Sequence, residues 1–263
     1  MHGGEGRRGM WLWTGALAAY AFLYLPLLVV VAYSFNDSRL NAEWMGFTWH
    51  WYEVLLHDEE MIAAAGNSLL IAAVASLSAT VLGTMAGIAM HRYRMRVLTF
   101  MVMAPVAMPE ILLGVSLLLF FIQVLNLTLG MLSIMLAHIT FSIGFVAIVV
   151  RTRLVGMDES LFEAARDCGA SPWQTFRHIT FPLILPAVIV GALMAFTLSL
   201  DDFVITFFTA GVGVSTLPLQ IYSMIKIAVT PEVNAVSTLL MLMTLTIIMV
   251  ASRIVQNVLR WKT

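Results

Sequence analysis

Apolar side chains fall along this sequence in six long blocks separated by short polar joints. They run from Trp11 to Tyr33, Asn67 to Met90, Leu98 to Leu125, Leu129 to Val150, Phe181 to Phe207 and Asn234 to Val255. Each meets or nearly meets the roughly twenty residues that a helix needs to cross a bilayer core. Backbone groups in hydrocarbon must bond within their own segment, so the pattern predicts an all-α membrane protein. Six transmembrane helices are expected, in one domain over residues 1–263. The second block holds Ser68, Ser76, Ser78, Thr80, Gly83, Ala86 and Gly87, small residues that let helices pack closely in lipid. The third holds Pro105, Pro109 and Glu110, which predict a break where the helix borders a cavity.

The longest polar interval between these blocks is SLFEAARDCGASPWQTFRHITFP, from Ser160 to Pro182, within an elbow of residues 158–182. Ser160 with Glu163, and Ser171 with Gln174, have the spacing of capping boxes, so each can open a helix. Gly169 suits the left-handed position that closes the first helix, and Pro172 the first turn of the second. Pro182 marks the expected end of that second helix. The reading is helix, turn, helix.

Composition narrows the class. At 60% hydrophobic, 11% charged and mean hydropathy +0.92, the 263-residue chain is too apolar for a soluble domain. A net charge of −1 with no basic run gives no sign of nucleic acid. Cys168 is the lone cysteine, which rules out an internal disulfide, and no metal set is visible. Arg7 and Arg8 precede the first block as in a signal peptide, but a block of this length reads as a retained span.

Lys and Arg positions set the orientation. With the N-terminus inside, the inner segments hold Arg7, Arg8, Arg92, Arg94, Arg96, Arg151, Arg153, Arg166, Arg177, Arg253, Arg260 and Lys262, and the outer segments hold only Arg39 and Lys226. That bias puts both termini and the elbow in the cytoplasm. The outer segment Asn36 to Met61 carries Trp44, Trp49, Trp51 and Tyr52, which suit a membrane interface, and an acidic cluster, Asp58 to Glu60, read as a solvated face.

Ionisable groups at membrane depth are few: Glu110, His138, Asp201 and Asp202. Their cost in lipid makes them candidates for a transport path, and the three acids have the sign a cation path requires. Glu110 can equally cap a half-helix, one aspartate can pair with Lys226 or sit in water, and His138 suits a hydrogen-bonded packing role. Phe203, Phe207, Phe208 and Tyr222 lie near the aspartates in sequence and can offer ring faces to ammonium groups. The many Met residues read as gap filling between helices.

The elbow residues Glu163, Ala164 and Ala165, with Gly169, Ile179 and Pro182 following at fixed intervals, resemble the EAA loop of ABC importer permeases. The stretches FTLSLDDFVI, LPLQIYSMIK, PEVNA and YSFN are similar to permease subunits of spermidine/putrescine (polyamine) importers, and with them the resemblance covers nearly the whole chain. It implies a MetI-like type I permease fold in a bacterial inner membrane, with cytoplasmic EAA coupling helices. It further implies a heterodimer with a homologous permease, a cytoplasmic ATPase dimer and a periplasmic polyamine-binding protein. Glu163, Ala164, Ala165 and Gly169 are then the ATPase-coupling residues, and Glu110, Asp201, Asp202, Phe203 and Tyr222 the substrate path. No GxxxxGK[ST] loop is present, so ATP and Mg²⁺ belong to the ATPase and no cofactor is expected in this chain. Other readings are a related importer for another small cation, an ion-coupled secondary transporter, which would need no elbow, and an intramembrane enzyme, for which neither HExxH nor GxSxG is found.

Overall fold

The computed structural model describes residues 4–38, 43–93 and 95–260, with backbone alone at 4–11, 251, 254, 255 and 257–260. Of the charges counted above, Arg39, Arg94 and Lys262 lie outside the described residues. Among the described residues there are eleven helices: α1 (Gly4–Tyr33), α2 (His50–His57), α3 (Glu59–Tyr93), α4 (Arg96–Ala107), α5 (Glu110–Val124), α6 (Met131–Val155), α7 (Ser160–Asp167), α8 (Pro172–Leu200), α9 (Val204–Thr209), α10 (Leu217–Ile227) and α11 (Pro231–Arg260). Five contain continuous stretches long and apolar enough to cross a membrane, and α4 with α5 forms a further pair bent by 110°. The bend falls at Met108 and Pro109, where the third apolar block was expected to break.

The chain divides into two compact units, residues 1–59 with 221–243, and residues 60–220 with 244–263. In the first, α1 leads into a tight loop organised by Asn36, which has no exposed surface. Its Nδ2 donates to the Glu43 carbonyl, its Oδ1 accepts from the Met45 N–H, and its carbonyl accepts from Trp51 Nε1. Phe35 stacks on Phe47 and meets Trp49 and Tyr52 at centroid distances of 5.2, 4.9 and 5.2 Å. The aromatics of this loop therefore pack first on one another.

The second unit is built around α6. Val146, fully buried, meets two glycines: a Cβ on Gly83 of α3 would stand 2.6 Å from its Cβ, and one on Gly191 of α8 would stand 3.1 Å from its Cγ1. Gly87 brings α3 equally near the carbonyl of Ala147. Absence of side chains at these positions lets the helix axes come together, as the small residues of the second block predict. Further along, Leu113, Leu117, Phe121, Ala137, Phe141 and Ile205 form a second core. Gly114 of α5 fits beneath the Phe208 ring of α9.

Several boundaries differ from the sequence reading, and the fifth block, Phe181 to Phe207, is not one helix but is interrupted at residues 201–203, between α8 and α9. The helix of the second block starts at Glu59, so Glu59 and Glu60 sit in its first turn, where carboxylates are favoured by the helix dipole. Pro182 does not end a helix: α8 runs through it, because a π-turn at Phe176–Thr180 precedes it. The Phe181 N–H there bonds to the Phe176 carbonyl, five residues back, which widens the helix just where the proline ring would otherwise press on the preceding turn.

Candidate functional site

The elbow is α7, a turn and the start of α8. Ser171 and Gln174 form their reciprocal cap as expected, with Gln174 Oε1 accepting from the Ser171 N–H. The first cap is different. Asp158 Oδ1 accepts from the Ser160 N–H at 2.9 Å, and Glu163 instead lines a cavity of about 170 Å³ with His91, Phe162 and Arg166. The Ser160 backbone N–H, with help from its hydroxyl, holds the Asp158 carboxyl below its ordinary value. At the far end the Gly169 N–H bonds to the Arg166 carbonyl and the Ala170 N–H to that of Ala165, a Schellman closure with Gly169 at φ +77°. Glu163, Ala164, Cys168 and Gly169 are exposed, whereas Ala165 is buried against its own chain. Leu161 and Trp173 present 44% and 67% of their surface, so apolar side chains flank the open face of the elbow.

The second cluster lies where α8 stops. Asp201 closes α8, and Asp202 caps α9: its Oδ2 accepts from the backbone N–H and from Oγ1 of Thr206, at 2.8 and 2.9 Å. His138 of α6 reaches the same carboxylate, Nε2 to Oδ2 being 3.3 Å, while Nδ1 meets Ser199 Oγ at 2.7 Å. The imidazole is 2% and the Asp202 side chain 7% exposed. A neutral ring with its proton on Nε2 satisfies this arrangement, since Nε2–H donates to the carboxylate and the Ser199 hydroxyl donates to Nδ1.

Asp202 thus finds its partner in His138, whereas the sequence offered Lys226 or water to one of the two aspartates. The partners of His138 come from α8, α9 and the break between them, and not from Thr140 or Ser142, the hydroxyl residues nearest to it in sequence. Thr140 bonds to its own helix, and the Ser142 hydroxyl is buried without a partner. Ser199 and Thr206 carried no sequence signal as partners of a histidine so far away. The cap was more legible, because an aspartate shortly before a helix start favours this bond.

Asp201 is exposed and within electrostatic range of Glu110, which is exposed as the first residue of α5. Phe203 lies in the break and packs on Phe207 at 5.6 Å. Glu110, Asp201, Asp202 and Phe203 are therefore all in the second unit, three of them at helix ends. Tyr222 is in the first unit, on α10, where Lys226 Nζ stands 5.0 Å from its ring centroid.

Residues 79–262 match the family model for the binding-protein-dependent transport system inner membrane component. The chain belongs to that family. Among similar proteins, the putrescine transport system permease protein PotI of Escherichia coli K12 is 44% identical over 243 residues, covering 89% of this chain and 86% of the relative. The spermidine/putrescine transport system permease protein PotC of Haemophilus influenzae is 41% identical over 241 residues, covering 90% and 93%. A bacterial ABC transporter involved in the import of alginate has a solved chain with TM-score 0.75 and 16% identity, covering 96% of this chain and 98% of that one. The MetNI methionine ABC transporter in inward-facing form gives 0.66 and 22%, covering 75% and 95%. These two establish a MetI-like importer permease fold, and the family makes this chain a multi-pass inner-membrane transport subunit.

Proposed function

We propose that this chain is a permease subunit of an ATP-driven importer that takes polyamines, such as putrescine and spermidine, from a periplasmic binding protein across the bacterial inner membrane. On this reading it pairs with a homologous permease, and both its termini lie in the cytoplasm. ATP and Mg²⁺ are used by a separate ATPase dimer, and this chain contributes neither a nucleotide site nor a cofactor. The ATPase engages the exposed face of α7, with Glu163, Ala164 and the turn at Gly169 as its points of contact and Ala165 seating the helix on its own chain.

The observation that carries the reading is the 44% identity over 89% of the chain to a putrescine permease. The chemistry agrees with it. A polyamine is a flexible polycation, and the exposed acids Glu110 and Asp201 have the complementary sign. Phe203, two residues beyond Asp201, adds a ring face, which attracts ammonium groups by about 0.5–2 kcal/mol according to desolvation. Contacts of this strength orient a cargo and still release it.

Reconstitution with the two partner subunits and a putrescine-loaded binding protein tests it. ATP-dependent uptake of labelled putrescine is the expected result; uptake by the isolated chain, or none by the complex, refutes it. Cys168, the lone cysteine, provides the orientation test. A membrane-impermeant maleimide should label it in inside-out vesicles and fail to do so once the ATPase is bound.

A further inference from the structure

The two adjacent aspartates are unlike in their surroundings. Asp202 is almost wholly enclosed, and one of its oxygens receives the Thr206 N–H, the Thr206 hydroxyl and His138 Nε2. Asp201 is exposed. A single imidazole bonds to both sides of the helix break, to Ser199 in the last turn of α8 and to Thr206 in α9, as well as to the carboxylate between them. His138 is anchored in α6, the central helix of the unit, so the break is fixed to the most buried part of the fold.

From this geometry we propose that His138 is a positioning residue for transport, acting through Asp202. The pair pins the α8–α9 break to α6 and withholds Asp202 from the cargo, leaving Asp201 and Glu110 as the acids a polycation meets. The inference rests on the polyamine reading above and divides its acid residues by role. Two features support the division. Asp202 spends its lone pairs on the cap and the histidine, so an ammonium group would have to displace bonds already made. Asp201, held by the same break, is exposed, its carboxyl bonded among the described residues only to its own backbone amide, and it shares its field with Glu110.

The test is import per ATP hydrolysed in the reconstituted complex, with protein abundance and ATPase stimulation by loaded binding protein measured alongside. Asp201→Asn and Glu110→Gln should each lower import per ATP by about tenfold, the scale of losing one charge contact. Asp202→Asn keeps a cap acceptor and should stay within about twofold of the unsubstituted protein. His138→Ala should fall as Asp201→Asn does while ATPase stimulation persists, His138→Gln should restore much of the loss, and His138→Ala with Asp201→Asn should be no worse than Asp201→Asn alone. Asp202→Asn losing import to the extent of Asp201→Asn overturns the proposal, as does His138→Ala with unchanged import per ATP. If His138→Ala does not accumulate, Asp202→Asn and His138→Gln decide by the same criteria. Failure of the unsubstituted complex to import any polyamine is a separate outcome: it removes the parent reading, and this one with it.

Discussion

Gly83 and Val146 are in direct backbone-to-side-chain contact, and a Cβ on the glycine would come within 2.6 Å of the valine Cβ and 2.8 Å of the Ile143 carbonyl oxygen. Neither neighbour is the free end of a flexible chain. Gly83→Ala must therefore push α3 from α6, at a cost of about 1–3 kcal/mol. Gly66, in the same helix, has nothing within 4 Å of the equivalent position. Gly66→Ala should be neutral or stabilising by up to about 1 kcal/mol, since alanine is the better helix former. Thermal unfolding in detergent separates the two: a lower midpoint for Gly66→Ala than for Gly83→Ala would contradict this packing.

Gly169 presents the opposite case. Its Cβ direction is open, but its φ of +77° is not one that most side chains adopt. Backbone preference alone should then rank the variants: Gly169→Asn mild, Gly169→Ala intermediate at about 1–2 kcal/mol, Gly169→Val severe. Uptake coupled to ATP hydrolysis should follow the same order, and Gly169→Asp should uncouple the two. Equal activity of Asn and Val variants would show that the turn conformation is unimportant.

Asp158 makes the elbow sensitive to acid. Its carboxyl, bound to the Ser160 N–H, titrates below its ordinary value of 3.8. A depressed folded-state value means that the stabilisation is fully present above 3.8 and is lost as pH falls through the lower, folded value. Amide exchange in α7 should accordingly be flat with pH down to about 4 once intrinsic rates are removed, then rise. Asp158→Asn should lose that rise. A change centred near neutrality would assign it to another group.

Asn36 holds the first unit's loop through three bonds, two from its side chain. Asn36→Ala leaves the Met45 N–H and the Glu43 carbonyl without their protein partner, at a cost of up to about 1–3 kcal/mol for each group that water does not reach. Faster proteolysis between Asn36 and Thr48, with α3 unaffected, is the expected readout.

The apolar blocks announced their helices because length and hydropathy suffice for that, and Gly169, Pro172 and the Ser171–Gln174 pair announced the turn between α7 and α8. Local chemistry misled where a second local effect opposed it. Glu59 and Glu60 read as a solvated face and are exposed, but they stand in the first turn of α3, where a helix start favours carboxylates, and not in the segment before it. Pro182 looked like a stop, yet a single wide turn absorbs it. Which of Asp201 and Asp202 would be enclosed was not legible. In sequence they are neighbours of one type, and the residue that tells them apart enters from α6 through tertiary packing.

Helix α8 joins the elbow to the acids. It begins at Pro172, one residue past the Ser171 cap, and ends at Leu200, beside Asp201. Its 29 residues make a strut about 43 Å long at roughly 1.5 Å per residue, a little less where the wider π-turn lowers the rise. A displacement of the elbow end of such a strut is carried along it to the α8–α9 break and, through His138, to α6. The lever that an outside motor would need is thus a single uninterrupted piece of backbone.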